Sequence, residues 1–456
     1  METVNRNHNI NKMSVNAMVI ISFALLFLIG GYGPAGDSES YLTLNIYREP
    51  VYSLIVCSLN SLFEQPVMYV VLAFIQNAIA AFSVIILVSN LDRYVFKDNL
   101  SLWISAVIAI VPYVMTPILS RSHLVTTNKI MEEALTIPEY YLLVAGIVAI
   151  IFDLDNRKKH IVRTSLLTVL LVLTRGQMSI VIIGYTILLL IIAITEKKMR
   201  LAISSIIIGL GLFAVTGIAT RTYNYLCSGE FCGTVSGKTT FLANVLYVSE
   251  EKDGELIEDS ELSALFYSLH EKLDENRLLY DYAEGSIVDK AEYHEFCHDA
   301  IKYDYFEPVK NEVFTGRMGD TYDEYLIFQD EIAGQLSGLL LKGCFGRWIK
   351  NYVAVASLGF IRTVAIDKGI LRIYTILVYC AYLLLLILNI KNRGLSKENL
   401  VALFTLVMII GFCLGTAIYI MCLSRYVIYN LPFFYISLYM LIRDMFLSKR
   451  DAVQNC

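Results

Sequence analysis

Long apolar runs separated by short polar loops constrain this 456-residue chain more than any other feature. A run of about 20 apolar residues forms a helix that can cross the roughly 30 Å hydrocarbon layer of a membrane. Helices are expected there because every backbone polar group in lipid needs an internal partner. With 56% hydrophobic and 17% charged residues, the chain has more apolar surface than one soluble core can bury. The predicted fold class is all-α, a polytopic membrane protein with about ten transmembrane helices.

The apolar runs give that count. They cover residues 13–31, 67–89, 101–119, 138–152, 164–174, 177–194, 201–220, 372–390, 400–420 and 427–446. The run at 164–174 is short for a span and ends at Arg175 and Gly176, so 164–194 is either a tilted pair of helices or a broken helix. No clear small-x-small cleavage pattern follows the first run, which favours an uncleaved span over a signal peptide.

Lys and Arg residues concentrate in alternate loops, and this bias predicts the orientation. The expected protein is integral and multi-pass, with both termini in the cytoplasm. Three domains are predicted: an N-terminal transmembrane module at 1–220 with catalytic exoplasmic loops, an exoplasmic and interfacial domain at 221–371, and C-terminal transmembrane helices at 372–456.

Residues 221–350 look soluble and mostly helical, and acidic residues far outnumber basic ones there. The acidity argues against nucleic acid as a partner, while the basic loops elsewhere suit anionic membrane lipids. Amphipathic helices are predicted at 262–273, 287–304 and 321–342. The apolar piece 351–366 is predicted to be interfacial or re-entrant, because an eleventh span would reverse the later loops.

Cys227 and Cys232 form the one close cysteine pair on the predicted exoplasmic side. In an oxidising compartment they would close a small disulfide loop, and otherwise they would be free thiols. The spacing lacks the second pair that a zinc site of this type needs.

The first polar loop, residues 32–66, places Asp37, Glu39 and Arg48 beside a predicted span. Charge held next to a bilayer is costly and tends to be functional. In the second half of the loop, apolar residues recur at helical spacing from Val51 to Leu62, which predicts an amphipathic helix at the membrane interface. An interfacial anchor alone would also explain that half, and an anchor and a site are compatible.

Three other loops on the same predicted side carry unusual charges. Glu132 and Glu133 precede a span, Arg175 separates two short ones, and Arg425-Tyr426 lies between the last two. Each is also explained without a function, as a solvated interface charge or as a side chain that reaches toward lipid headgroups. All of these loops are predicted on one side of the membrane, and this favours a single site.

Two short motifs point to other chemistry. His294, Glu295 and His298 fit the H-E-x-x-H pattern, in which two histidines bind zinc and the glutamate acts as base. A third ligand and an apolar helix setting are not evident, so a membrane zinc metalloprotease is a minor alternative. The stretch 233–239 is similar to a phosphate-binding loop, but its spacing is one residue off and no strand precedes it.

Together the charged loops resemble the GT-C superfamily of membrane glycosyltransferases, which take a sugar from a polyprenyl-phosphate carrier. The resemblance covers most of the membrane part and depends on the order and common side of motifs that are weak individually. The chain departs from some members in having Asp37-x-Glu39 instead of an adjacent acidic pair. The matching pieces are Asp37 soon after the first span, Arg48-x-Pro50-x-Tyr52, a glutamate before the fourth span, Thr174-Arg175, and Arg425-Tyr426 followed by Pro432.

The resemblance implies an inverting glycosyltransferase that acts on the exoplasmic side in surface glycan or glycoprotein assembly. Asp37 would be the base, with Glu39 in support, and Glu132 or Glu133 would orient the acceptor or hold a divalent cation. The donor phosphate would be held by Arg48, Arg175, Arg425 and Tyr426. The implied partners are a polyprenyl-phosphate-linked sugar donor, a glycan, lipid or protein acceptor, and membrane lipids.

A transporter is the alternative from another class, in the form of a flippase for lipid-linked sugar or polysaccharide. The same charges would then line a translocation path near the middle of the membrane. They cluster at span ends instead, and paired broken segments in two repeated halves are not evident. Both observations favour the enzyme.

Overall fold

The computed structural model describes residues 2–119, 124–317 and 319–454. The predicted all-α fold class is confirmed, because 83% of the structure is helical and the described residues form no strand. One isolated backbone bridge joins Gly33 to Lys129.

Eight helices form the N-terminal half. They are α1 (Glu2–Ile29), α2 (Pro50–Leu62), α3 (Gln65–Leu91), α4 (Asn99–Leu119), α5 (Glu133–Phe152), α6 (Arg157–Thr174), α7 (Ser179–Thr195) and α8 (Met199–Ser228). The amphipathic helix predicted in the first loop is α2. Residues 164–194 form two helices, α6 and α7, joined by Arg175 and the 3-10 turn Gly176–Met178.

Five helices follow in the acidic region. They are α9 (Gly237–Val248), α10 (Ser260–Glu275), α11 (Ile287–Asp299), α12 (Glu307–Val313) and α13 (Tyr322–Val364). The helix predicted from its apolar spacing is α10, and all five of the apolar residues that define it are buried: Leu262, Leu265, Phe266, Leu269 and Leu273. The chain ends with α14 (Ile370–Arg393), α15 (Lys397–Tyr419), α16 (Ser424–Val427) and α17 (Leu431–Gln454).

Residues 351–366, predicted to be an interfacial or re-entrant segment, do not form a separate element in the structure. Helix α13 continues without a break from the acidic region to Val364, over 43 residues. At about 1.5 Å per residue it is roughly 65 Å long. The expected boundary at residue 220 also falls inside a helix, since α8 extends to Ser228.

Among the described residues, seven helices are long and apolar enough to cross a membrane. The seven segments are His8–Ile29, Gln65–Phe96, Glu133–Phe152, Gly176–Thr195, Met199–Ser228, Ile370–Arg393 and Lys397–Tyr419. They indicate a membrane-embedded protein. Helices α4, α6 and α17 coincide with predicted runs but fall outside this set, so the count of ten spans stays a prediction.

Helix α5 lies at the centre of the bundle. In its apolar window 83% of the residues are buried, against 17% in α1. It packs against α3, α6 and α15. Other helices therefore surround its first turn, where Glu133 lies.

The stretch that is similar to a phosphate-binding loop leads into α9, and a carboxylate already occupies the start of that helix. Asp330 of α13 accepts hydrogen bonds from the backbone N–H groups of Lys238 at 2.9 Å and Thr239 at 3.1 Å. The other end of α9 is tied to the membrane part, where the Asn244 side chain donates to the Ile418 carbonyl at 3.0 Å.

Asp330→Ala should lower the free energy of unfolding by about 1–2 kcal/mol, because it leaves two N–H groups at the start of α9 without their acceptor. Thermal unfolding of the purified protein in detergent measures this effect. The matched control is Glu331→Ala, at an exposed carboxylate on the next residue. Equal unfolding temperatures for the two variants would contradict the capping role.

Candidate active site

The charged loops singled out from the sequence meet at one end of the bundle, which we call the site end. Glu132 and Glu133 begin α5, Arg175 ends α6, and Arg425 and Tyr426 belong to the short helix α16. The first loop contributes Arg48 and the 3-10 turn Gly36–Tyr41. Segments separated by almost 400 residues of chain thus share one neighbourhood.

Arg175 is the centre of this neighbourhood and is only 5% exposed. Its Nη1 lies 2.9 Å from Glu133 Oε1 and its Nε lies 3.3 Å from Glu132 Oε1. It also donates to the Tyr429 hydroxyl at 3.0 Å. The guanidinium lies over the Tyr426 ring at 5.2 Å, a distance typical of cation–π contact. A buried arginine with this many partners is fixed in position and is not reaching toward lipid headgroups.

Arg425 lies on the outer side of the same group. Its Nη2 donates to the hydroxyl of Tyr426 at 2.9 Å, and its Nε is 4.0 Å from Glu133 Oε1. The guanidinium side chain is 31% exposed. Glu133 Oε2 is buried and has no hydrogen-bond partner among the described residues. Arg425 is more exposed than Arg175, whose side chain is 7% exposed, and is therefore more accessible to a ligand.

The first loop is attached to this group through Tyr41. The buried Tyr41 hydroxyl donates to Glu132 Oε2 at 2.6 Å. Arg48 lies over the Tyr41 ring at 4.7 Å and donates to Ser40 Oγ at 2.7 Å. Asp37 Oδ2 lies 3.5 Å from Arg48 Nη2, and the Asp37 side chain is 45% exposed.

Glu39 stands apart from the other sequence candidates. It is exposed on the 3-10 turn, and in the described part of the chain its carboxylate makes no hydrogen bond or ion pair. The two acids of the first loop therefore differ, because Asp37 contacts an arginine and Glu39 contacts solvent.

Glu49 is a partly buried candidate that sequence reasoning missed. Its carboxyl accepts hydrogen bonds from Thr234 at 2.8 Å and Thr220 at 3.2 Å. Burial raises the pKa of Glu49 to about 7, although the two threonine hydroxyls partly oppose that rise. A side chain on Gly176 would come within 2.6 Å of the Glu49 carboxyl, so this glycine allows the close approach. The available signal was its position directly after Arg48 and before the proline that starts α2.

Lys129 is another buried basic residue at the site end, only 8% exposed. Burial lowers the pKa of Lys129, while the nearby Glu133 carboxylate acts in the opposite direction. The lysine adds a fourth basic group to the site end, beside Arg48, Arg175 and Arg425.

A cavity of about 530 Å³ opens among these residues. Its charged wall contains Arg48, Glu49, Glu132 and Arg175, with Tyr426 beside them. Apolar side chains from the start of α7 and the end of α15 also line it, at Ile180, Ile418, Tyr419 and Ile420, together with polar ones such as Gln177 and Thr416. Asp37, Glu39, Glu133 and Arg425 do not line it. The cavity thus offers both guanidinium groups and apolar side chains to a bound molecule.

A divalent cation has no ready ligand set here. Glu132 and Glu133 both pair with Arg175, so a cation would compete with the guanidinium for the same oxygens. The described residues contain no group of three or more His, Cys, Asp or Glu side chains that would hold a metal ion. The cation stays an expectation from sequence.

The H-E-x-x-H residues lie in α11, and their side chains have other partners. His294 Nε2 lies 2.8 Å from Asn244 Oδ1, and His298 Nε2 lies 3.3 Å from the Thr240 carbonyl. Glu295 forms an ion pair with Arg362 at 2.7 Å. Burial lowers the pKa of His294 well below its usual range. Cys227 and Cys232 are both free thiols in the structure.

Comparisons of the chain with protein-family models, with curated proteins and with solved structures found no match. The interpretation of the site therefore depends on its own geometry.

Arg175→Gln should lower the free energy of unfolding by about 3–5 kcal/mol, because Glu132 and Glu133 would stay buried without a cation. Adding Glu133→Gln should recover part of that loss, since one of the two stranded charges is removed. Thermal unfolding of both variants measures the effect, with the exposed Arg221→Gln as control. A double variant no more stable than Arg175→Gln would contradict the pairing.

The raised pKa of Glu49 predicts a pH dependence of stability. The folded protein holds this proton up to about pH 7, whereas the unfolded chain releases it near 4.5. The resulting stabilisation is present below pH 4.5 and is lost as the pH rises through about 7. Between pH 5 and 8 the wild type should lose stability relative to Glu49→Gln, and parallel unfolding curves would contradict this. Glu64→Gln, an exposed site at the far end of α2, is the control.

Proposed function

We propose that this protein is an inverting glycosyltransferase that moves a sugar from a polyprenyl-phosphate carrier to an acceptor. The observation that carries the proposal is the cavity at the site end, which is lined by Arg48 and Arg175 and also by apolar side chains. A polyprenyl-phosphate sugar likewise combines an anionic headgroup with an apolar chain. The GT-C resemblance of the loops supports the same reaction.

The arginines are assigned to the donor phosphate. Arg48 and Arg175 line the cavity, and Arg425 is partly exposed next to Tyr426. A guanidinium binds phosphate oxygens with two parallel hydrogen bonds, which suits it to a leaving group that gains negative charge. Arg175 is already held by two carboxylates, so it would act as a fixed charge, while Arg48 and Arg425 supply free donors.

The reaction needs a base as well as the cations. The base takes the proton of an acceptor hydroxyl, the acceptor oxygen bonds to the anomeric carbon, and the bond from that carbon to the phosphate oxygen breaks with its electrons going to the phosphate. Attack on the face opposite the leaving group inverts the anomeric configuration.

Two carboxylates of the first loop compete for the role of base. The resemblance assigns it to Asp37, which is 45% exposed, paired with Arg48 and outside the cavity lining. Glu49 lines the cavity and has a pKa raised to about 7, which lies near the operating pH of a general base. We assign the proton transfer to Glu49. The role of Asp37 is to position Arg48. Glu132 and Tyr41 hold the donor side in place.

The proposed setting is the exoplasmic side of a membrane, with both termini cytoplasmic and 221–371 exoplasmic. The acceptor would be a glycan, lipid or protein of surface glycan or glycoprotein assembly. The donor arrives already activated by its phosphate, so no nucleotide site is required.

Glu49→Gln should reduce kcat for sugar transfer by about 10²–10⁴-fold, because the base is lost while the hydrogen bonds from the threonines have an acceptor left. The residual rate should no longer rise with pH through about 7. Asp37→Asn should act mainly on KM, through Arg48. The assay follows transfer from polyprenyl-phosphate sugars by the purified full chain, with Glu64→Gln as control.

Three other outcomes of this assay are informative. If Asp37→Asn loses kcat while Glu49→Gln stays active, the catalytic base is Asp37 and not Glu49. No transfer by the wild type with any carrier sugar would contradict the enzyme. Carrier movement across reconstituted vesicles without bond formation would favour the flippase.

A further inference from the structure

A second, larger cavity lies at the opposite end of the bundle. It has a volume of about 1460 Å³ and lies between the α5–α6 turn and the α7–α8 turn, with walls from the first turns of α6 and α8. Helix α6 has 18 residues, so its ends are separated by roughly 27 Å. This cavity, which we call the α6–α8 groove, is therefore distinct from the cavity at the site end.

The mouth of the α6–α8 groove is basic. Its charged lining residues are Arg157, Lys158, Lys159, Lys198 and Arg200 against Asp155 and Glu196, a surplus of three positive charges (five minus two). Glu196 accepts hydrogen bonds from Arg157 at 2.6 Å and Lys198 at 2.8 Å. Lys158, Lys159 and Arg200 are exposed and make no ion pair or hydrogen bond within the described residues. The unpaired charges thus face the opening.

The groove also has apolar lining residues, which are Ile161 and Val162 of α6 and Leu201 and Ile208 of α8. Exposed apolar residues continue along both helices toward the middle of the bundle, including Leu166 at 67% and Ile207 at 63% exposure. In a membrane-embedded protein such a surface contacts acyl chains. Val162 lines the groove and is itself 59% exposed, so the groove borders this lipid-facing surface.

We propose that the α6–α8 groove binds one anionic phospholipid. Lys158, Lys159 and Arg200 hold its phosphate, and its acyl chains lie against Val162 and Ile208. A soluble anion would satisfy the charged mouth but leave the apolar walls in contact with water. A zwitterionic lipid would fill the walls but bring no net charge to the three unpaired cations. This site does not depend on the proposed sugar transfer, because it shares no residue with the cavity at the site end.

The same end of the bundle offers a matched control. The Tyr94 hydroxyl donates to Asp153 at 3.2 Å, and Lys397 donates to the Phe152 carbonyl at 3.2 Å, so the α3–α4 and α14–α15 turns border the α5–α6 turn. Lys97 and Lys391 lie at these two turns, are exposed and do not line the groove. Replacing both lysines by glutamine removes two positive charges from this end of the bundle, as the groove variant Lys158→Gln/Arg200→Gln does. It changes no residue that lines the groove.

Native mass spectrometry of the full chain in detergent, with added phosphatidylglycerol or phosphatidylcholine, tests the proposal. The wild type should retain one phosphatidylglycerol in preference to phosphatidylcholine. Lys158→Gln/Arg200→Gln should weaken phosphatidylglycerol binding about 30-fold, because two basic residues near a lipid phosphate are lost. Lys97→Gln/Lys391→Gln should leave it unchanged, and all variants should unfold at the wild-type temperature.

Ser204→Trp separates the groove from diffuse surface charge, since it adds a bulky side chain to the groove lining and leaves every charge in place. It should reduce retention of phosphatidylglycerol. Undiminished retention, an equal loss in the two charge variants, or equal binding of both lipids by the wild type would overturn the proposal. Displacement of phosphatidylglycerol by an equal concentration of inorganic phosphate would also overturn it, because the mouth would then hold a soluble anion.

Discussion

The ion pairs of Arg175 with Glu132 and Glu133 are the interaction on which the site end depends. Removing a guanidinium and two carboxylates from water costs several kcal/mol per ion, and only close geometry repays that cost. Here the contacts are 2.9 and 3.3 Å and the arginine is almost fully buried. The pairs join the end of α6 to the start of α5, the most buried helix of the bundle. Segments from both ends of the chain then assemble around this fixed charge.

The remaining contacts of the site follow from that anchor. Tyr41 binds Glu132 and so fixes the first loop, while Tyr426 packs on Arg175 and fixes α16. Glu49 accepts hydrogen bonds from Thr220 of α8 and from Thr234 of the acidic region, so that region helps to shape the cavity. Protein contacts hold Arg48 and Arg425 less tightly than Arg175. We therefore assign to these two arginines the contacts that form with a ligand.

The spacing of apolar residues predicted the helices well, because a buried helix face requires apolar residues at helical intervals. It identified α2, α10 and the two short helices around Arg175. It failed where burial is not periodic: Gly343, Gly346 and Arg347 interrupt the apolar pattern of α13, yet the helix continues through them. Glu49 was missed because a glutamate before a proline is unremarkable in sequence. Its burial comes from α8 and the 232–237 loop, which are distant in the chain.

The central claim is that the cavity at the site end holds the phosphate of a polyprenyl carrier. A cryo-electron microscopy structure of the protein with bound polyprenyl phosphate tests it most directly. The phosphate is predicted within about 3 Å of a guanidinium nitrogen of Arg48 or Arg425, with the chain leaving over Ile180 and Tyr419. Carrier density elsewhere on the bundle, or in this cavity without a guanidinium contact, would contradict the claim.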